Sequence, residues 1–194
     1  FASGTMSLNE KLIQLGQALT ESPVPFAPSL LKNEITADTH LELHGAPVFL
    51  PDGSRFFIEM QRKLPESDGY RKTIMVVHYR DGAWQEMKPA PFSGTWNDGT
   101  ITLSPDGNRL YFSSDRPVPG HPGRQGRDLW CVERTETGWS DPAHLDGPIN
   151  SDQIEGALVF AENNHAYFFR RYDAEDGSGD ILECRVTDGQ FVKV

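Results

Sequence analysis

The chain has 194 residues, 37% of them hydrophobic, and a net charge of −10. This acidity argues against a nucleic-acid or anionic-membrane surface, because phosphate binding requires concentrated lysine and arginine. No segment is long and apolar enough for a membrane helix, and the 18 glycines and 14 prolines predict many turns joining short strands.

The first predicted element is a helix over residues 7–19. Ser7 and Glu10 fit a capping box. Four leucines recur at helical spacing on one face: Leu8, Leu12, Leu15 and Leu19. Three prolines within residues 23–28 then predict an extended linker. We therefore assign residues 1–31 to a helix and linker that pack beside the rest of the chain.

A four-stranded unit is predicted over residues 40–96. It contains VFLPDGSRFFIEMQR at 48–62, in which a Pro-Asp-Gly turn separates two apolar runs. A polar loop, a third apolar run at 74–77 and a tight Asp-Gly turn follow. A short strand that ends in proline, WQEMKPAP, completes the unit.

The same order recurs over residues 97–148, most clearly in ITLSPDGNRLYFSSDRP at 101–117. Pro105 presets the backbone for a turn, Asp106 can hydrogen-bond its own loop, and Gly107 supplies the positive φ that closes it. The uninterrupted apolar run at 110–112 is typical of a strand packed on both faces.

A third copy is predicted over residues 149–194. LVFAENNHAYFFRR at 158–171 places Asn163 where the glycine stood, and asparagine tolerates the left-handed conformation. Asp52, Asp106 and Glu162 thus recur at steps of 54 and 56 residues.

Four antiparallel strands repeated at this period predict the blades of a β-propeller. A single sheet cannot cover both of its faces, whereas sheets stacked around an axis cover each other. An immunoglobulin-like sandwich explains short strands but not the regular step. We predict an all-β propeller within residues 32–194, with four-stranded antiparallel blades at about 40–96, 97–148 and 149–194, preceded by the short N-terminal helix.

The stretch LSPDGNRLYFSSDRP…GRDLW…ERTETGWSDPAHLDGPIN resembles the WD-type propeller repeat of TolB-like proteins, over roughly residues 40–194. That family usually has about six or more blades, and a propeller closes with at least about four, whereas three are visible here. We expect the missing blades in a longer chain, in preference to assembly between molecules. The resemblance favours an extracytoplasmic bacterial protein. It indicates the fold more specifically than the function, because propellers host many activities.

The resemblance implies that the loop before the first strand and the loop after the second open on one funnel mouth. Residues expected there are His40, His44, Asp98, Glu155, Arg62, Asp115, Arg116, Arg170 and Arg171. Of these, the ligand-binding candidates are His44, Arg62, Asp115, Arg116 and Arg171, because guanidinium forks can hold carboxylates or sugar acids. The favoured alternative is that the arginines pair with acids of neighbouring blades and hold the ring together.

No metal or cofactor is predicted. The Asp- and Gly-rich segment 173–180 lacks the ligand order of a calcium loop. His40 and His44 would lie about 13 Å apart on a strand, too far to share an ion. Cys131 and Cys184 have no second cysteine or histidine pair nearby, so we expect buried thiols. No nucleophile motif is present.

The leading hypothesis is a non-enzymatic propeller module that binds a protein or a small polar ligand, with self-association possible through open blade edges. The alternative is a carbohydrate-active enzyme of the glycosidase or sugar-acid lyase type. In that enzyme Asp98 and Glu155 are the acid/base pair, and Arg116 and Arg171 orient the substrate. Two carboxylates facing an open cavity favour catalysis, whereas packed arginine–acid pairs favour the binding module.

Overall fold

A computed structural model describes residues 41–64, 69–121, 126–172, 177–187 and 189–193. These residues form strands and turns but no helix, and therefore no helix that could cross a membrane. The predicted helix at 7–19, the linker and His40 lie outside the described residues.

Three antiparallel sheets follow one another along the chain. Sheet I contains six strands: β1 (Leu41–Leu43), β2 (Val48–Phe49), β3 (Arg55–Lys63), β4 (Tyr70–Arg80), β5 (Ala83–Trp84) and β6 (Lys88–Pro89). Because β1 and β2 both pair with β3, and β5 and β6 both pair with β4, the six strands make four rows.

Sheets II and III each have four strands in sequential order. Sheet II contains β7 (Asp98–Leu103), β8 (Arg109–Ser114), β9 (Asp128–Glu133) and β10 (Ala143–His144). Sheet III contains β11 (Ile154–Phe160), β12 (His165–Arg171), β13 (Gly179–Thr187) and β14 (Gln190–Lys193). The fold is thus all-β, with a four-row antiparallel sheet in each of the three predicted units.

The repeated turn between the first and second strands has the predicted backbone in each sheet. Gly53, Gly107 and Asn163 have φ values of 66°, 73° and 60°. In sheet II the Asp106 carboxylate accepts from the backbone N–H of Asn108 at 3.0 Å, as an Asx-type turn requires. The turn chemistry inferred from the sequence is confirmed.

The sheets stack in chain order, and sheets I and II bury side chains on both faces of their second and third strands. Leu110 and Phe112 lie in a core shared by sheets I and II, whereas the intervening Tyr111 lies in a core shared by sheets II and III. A third cluster occupies the other face of sheet I: Phe56, Ile58, Met60, Met75 and Val77. The two-sided burial predicted from the run 110–112 is confirmed.

A bulge interrupts the first strand of both sheet II and sheet III at corresponding places. The ladder register shifts between Gly99 and Thr102 and between Gly156 and Val159. Thr100 has φ 50°, and its counterpart has a similar value. Each bulge follows an acidic residue and a glycine near the start of its strand, Asp98–Gly99 in sheet II and Glu155–Gly156 in sheet III, and changes the local course of the strand there.

Candidate functional site

The first strand of each sheet begins at the end where the second strand finishes, since the two run antiparallel. In sheet II Asp98 lies opposite Ser114, and in sheet III Glu155 lies opposite Arg170. We call this end of the three sheets the mouth. It gathers most of the residues that the sequence singled out.

The Asp98 carboxylate is enclosed by donors at the mouth of sheet II. Oδ2 accepts from Ser93 Oγ at 2.7 Å, and Oδ1 accepts from Ser114 Oγ at 2.6 Å and from Arg116 Nη2 at 2.8 Å. Arg116 also donates to the carbonyl oxygen of Phe92 at 3.1 Å. The side chains of Asp98 and Arg116 are 0% and 8% exposed, so this ion pair is closed to solvent.

Glu155 is enclosed in a similar way in sheet III. Oε1 accepts from Ser151 Oγ at 2.5 Å and from Arg170 Nε at 2.8 Å. Arg170 Nη2 reaches the carbonyl oxygens of Pro148 and Ile149 at 3.1 and 3.3 Å. Burial raises the pKa of Glu155, against the lowering effect of its hydrogen bonds to Ser151 and Arg170. Its Oε2 atom is buried and has no hydrogen-bond partner in the described part of the chain.

Each of the two ion pairs lies within its own sheet, and its arginine also hydrogen-bonds to the segment that precedes that sheet. The Arg116 guanidinium lies 4.9 Å from the ring centroid of Phe112, and that of Arg170 lies 5.3 Å from the ring of Phe168. The expected pairing between neighbouring blades is therefore wrong for these two arginines. The reason is register, because adjacent strands of one sheet already place Glu155 and Arg170 opposite each other.

Glu59 forms the contact between sheets I and II at the mouth. Its Oε1 lies 2.7 Å from His44 Nδ1 and 2.8 Å from Lys72 Nζ, and its Oε2 accepts from the backbone N–H of Thr100 at 2.6 Å. The Glu59 side chain is only 5% exposed. The bulge at Thr100 aims this N–H at the carboxylate, so a cation, an imidazole and an amide of two sheets share one acid.

Neither Glu59 nor Lys72 was identified from the sequence. The available signal was a single charged residue inside the apolar run FFIEM at 56–60, where a buried acid needs partners. Lys72 carried no such signal, since it follows other polar residues at the start of β4.

Asn97 links the mouths of sheets I and II through its backbone and its side chain. Its Oδ1 accepts from the backbone N–H of Lys72 at 3.0 Å, and its own N–H donates to Asp115 Oδ1 at 2.8 Å. Its carbonyl oxygen accepts from Arg127 Nη2 at 2.9 Å. The candidate Asp115 is thus an exposed residue that takes part in this hydrogen-bonded junction.

Two arginines at the mouth retain hydrogen-bonding capacity. The Nε atoms of Arg127 and Arg171 are buried and have no hydrogen-bond partner among the described residues. Burial lowers the pKa of Arg127. The negative charges of Glu59 and Asp115 oppose this lowering, whereas the positive charge of nearby Arg171 adds to it. The charge of Arg171 is therefore near enough to Arg127 to act on it.

The remaining candidates are spread along sheet I. His44 is 41% exposed and contacts Glu59, as described above. Arg62 is exposed and lies between Leu41 and Arg71 in the strand ladder, beyond the level of Glu59. The structure therefore brings His44 to the Glu59 cluster and places Arg62 farther along the sheet.

No group of three or more potential metal ligands occurs among the described residues. Residues 173–176 of the Asp- and Gly-rich segment lie outside them. Cys131 and Cys184 are both buried free thiols, as predicted. Burial raises their pKa values to about 12 and about 11, so neither is a ready nucleophile.

Comparison with known proteins yields a likeness of fold. No protein family matches the chain, and no curated protein matches it. A solved structure of a Mycobacterium tuberculosis puromycin-hydrolysing peptidase matches with a TM-score of 0.50 and 15% sequence identity. The match covers 79% of this chain and 23% of that one, so the chain spans about a quarter of the peptidase's length. At this identity the likeness concerns fold alone.

Proposed function

We propose that the chain is part of a TolB-like β-propeller and acts as a binding module for a ligand or protein segment that presents a carboxylate at the mouth. The observation that carries the proposal is the pair of arginines, Arg127 and Arg171, whose buried Nε atoms have no partner among the described residues. A carboxylate can accept from both guanidinium groups and compensate the burial of Arg127.

The propeller assignment is supported by a face of sheet III that lacks a cover. Ile74 of sheet I and Leu129 of sheet II are both fully buried against the next sheet. Ile181 is the corresponding residue of sheet III, since it pairs with the second strand as Leu129 does, and it is 76% exposed. Val159 on the same face is 53% exposed. A further sheet of the same kind, from a longer chain or a second copy, would cover this surface.

Binding is favoured over catalysis because the two acids suited to acid/base chemistry are enclosed. Both side chains, Asp98 and Glu155, are 0% exposed, and each is held by an arginine of its own sheet. A general acid must come within hydrogen-bond reach of the substrate. The glycosidase or lyase alternative would require both ion pairs to open first.

The binding proposal is tested by titrating the purified chain with galacturonate and with an aspartate-rich peptide, using calorimetry. We expect one of these carboxylate probes to bind, and Arg171→Gln to weaken its binding about tenfold or more, because a charge-assisted hydrogen bond is lost. Arg127→Lys keeps the charge but removes the planar fork, and we expect a similar loss.

Arg80→Gln serves as the matched control, since Arg80 is an exposed arginine at the opposite end of sheet I. It should leave the affinity unchanged. Failure of both probes to bind, or equal affinities for the wild type and Arg171→Gln, would contradict the proposal.

A further inference from the structure

A cleft of about 660 Å³ opens between sheets II and III at the end opposite the mouth. It lies between the first turn of sheet II, at 104–109, and the first turn of sheet III, at 161–165, and Gly189 closes one side. This volume falls within the range of roughly 300–1,000 Å³ that is typical of small-molecule sites. None of its residues belongs to the site described above.

The charged groups that line the cleft already have partners. Arg109 Nε donates to Glu133 Oε1 at 2.9 Å, and Arg134 Nη2 donates to Asp52 Oδ2 at 2.7 Å. Asp106 accepts from the turn that contains it. The lining thus offers two arginines and two carboxylates whose charges balance, so an ionic ligand gains no net attraction.

The rest of the lining combines amides with an aromatic wall. Asn108, Asn163 and Asn164 are exposed side chains at the rim, and each amide offers both donors and an acceptor. The partly exposed ring of Phe160 forms the inner side, and it lies 5.2 Å, centroid to centroid, from the ring of Tyr111, which is buried behind it. Asn163 and Asn164 both have left-handed backbone, which asparagine tolerates, and both line the cleft.

We propose that this cleft binds a neutral sugar, as a single ring or a short oligosaccharide. Sugar hydroxyls both donate and accept hydrogen bonds, which matches amides and arginine–carboxylate pairs that are held in fixed orientations. The C–H face of a sugar ring is apolar and packs on an aromatic wall. A neutral polyhydroxylated ligand therefore fits the balanced charge, the amide rim and the aromatic side together.

The test is a titration of the full chain with cellobiose, maltose, lactose and chitobiose, monitored by calorimetry. We expect at least one disaccharide to bind. Asn163→Gly with Asn164→Gly should weaken that binding about tenfold or more, because two amides are removed. Glycine adopts the left-handed conformation without strain, so the double variant keeps the turn and tests the amides alone.

Asp81→Gly is the matched control, because Asp81 is also a polar turn residue with positive φ, 53°, but lies in sheet I away from the cleft. It should bind the disaccharide as the wild type does. Binding that survives the asparagine double variant, or no binding by any disaccharide, would overturn the proposal. Arg171→Gln should not alter disaccharide binding, which separates this site from the mouth.

Discussion

At the scale of single residues, the acids of the mouth are enclosed by hydrogen-bond donors, whereas the buried Nε atoms of Arg127 and Arg171 have no partner among the described residues. Asp98 and Glu155 each accept from a serine and an arginine within their own repeat. The two carboxylates were catalytic candidates because of their chemistry, but in the structure each one neutralises the charge of a largely buried arginine. Residue type therefore identified the polar cluster, and hydrogen-bond geometry decided what each member does.

Removal of the Asp98 charge should expose the cost of a buried, unpaired arginine. Asp98→Asn keeps the shape but leaves the Arg116 guanidinium uncompensated, and we expect a loss of about 3 kcal/mol in the free energy of unfolding. The measurement is urea denaturation followed by fluorescence, compared at equal slope.

Glu133→Gln is the comparison for that variant, since it breaks the Arg109–Glu133 pair, whose side chains are 35% and 60% exposed. It should cost less than about 1 kcal/mol, because solvent screens an exposed pair. Equal losses for the two variants would show that the Asp98 pair is not a structural contact.

At the scale of elements, the bulges in β7 and β11 position the contacts between sheets. In sheet II the bulge lets the backbone N–H of Thr100 reach the carboxylate of Glu59. This approach is close, because a Cβ atom placed on Gly99 would lie 2.7 Å from Glu59 Oε2. A glycine at this point is required by the neighbouring sheet.

We predict that Gly99→Ala destabilises the chain by about 1–3 kcal/mol through overpacking. The Glu59 side chain cannot simply move aside, since Lys72 and the N–H of Thr100 hold its two oxygens. Thermal unfolding monitored by circular dichroism measures the effect.

Gly156→Ala is the matched variant in sheet III, where the added Cβ would meet Thr100 Oγ1 at an ordinary 3.5 Å. It should change stability much less than Gly99→Ala. The reverse order of stability would mean that Glu59 does not set the spacing between sheets I and II.

At the scale of the whole molecule, sheets I and II each bury one face against the next sheet along the chain, whereas the corresponding face of sheet III is exposed. The faces of sheets I and II that hold Ile74 and Leu129 are covered, whereas the corresponding face of sheet III exposes Ile181. The other face of sheet I carries a buried apolar cluster. Sheet III therefore presents the open surface among the described sheets.

We expect the 194-residue chain to associate reversibly through that surface at concentrations of tens of micromolar, an order-of-magnitude value for a small apolar interface. Ile181→Lys should shift the equilibrium to the monomer, because it places a charge in the contact. Size-exclusion chromatography with light scattering over a concentration series measures the change.

Leu43→Lys provides the control, since Leu43 is also an exposed apolar strand residue, 59% exposed, but belongs to sheet I. It should leave the association unchanged. A wild-type chain that stays monomeric at every concentration, or a Leu43 variant that dissociates like the Ile181 variant, would count against the open-face proposal.

Much of the fold could be predicted because turns and strand burial are encoded locally. Gly107 and Asn163 marked their turns through the left-handed conformation that only a few residues accept. The apolar run at 110–112 predicted a strand packed on both faces, and this is confirmed because its residues are divided between two cores. The candidate site was less accessible, because the partners of Glu59 come from three separate segments of the chain.

The sequence by itself determined that the chain folds into repeated four-row antiparallel sheets, since residue periodicity and turn chemistry act over a few neighbours. Only the tertiary structure decided that Asp98 and Glu155 are enclosed by arginines of their own sheets, that Glu59 joins two sheets, and that Arg127 and Arg171 retain unpartnered Nε atoms. Those outcomes depend on which distant groups meet and on how much water each meeting excludes. A carboxylate looks the same in the sequence whether its charge is exposed or compensated.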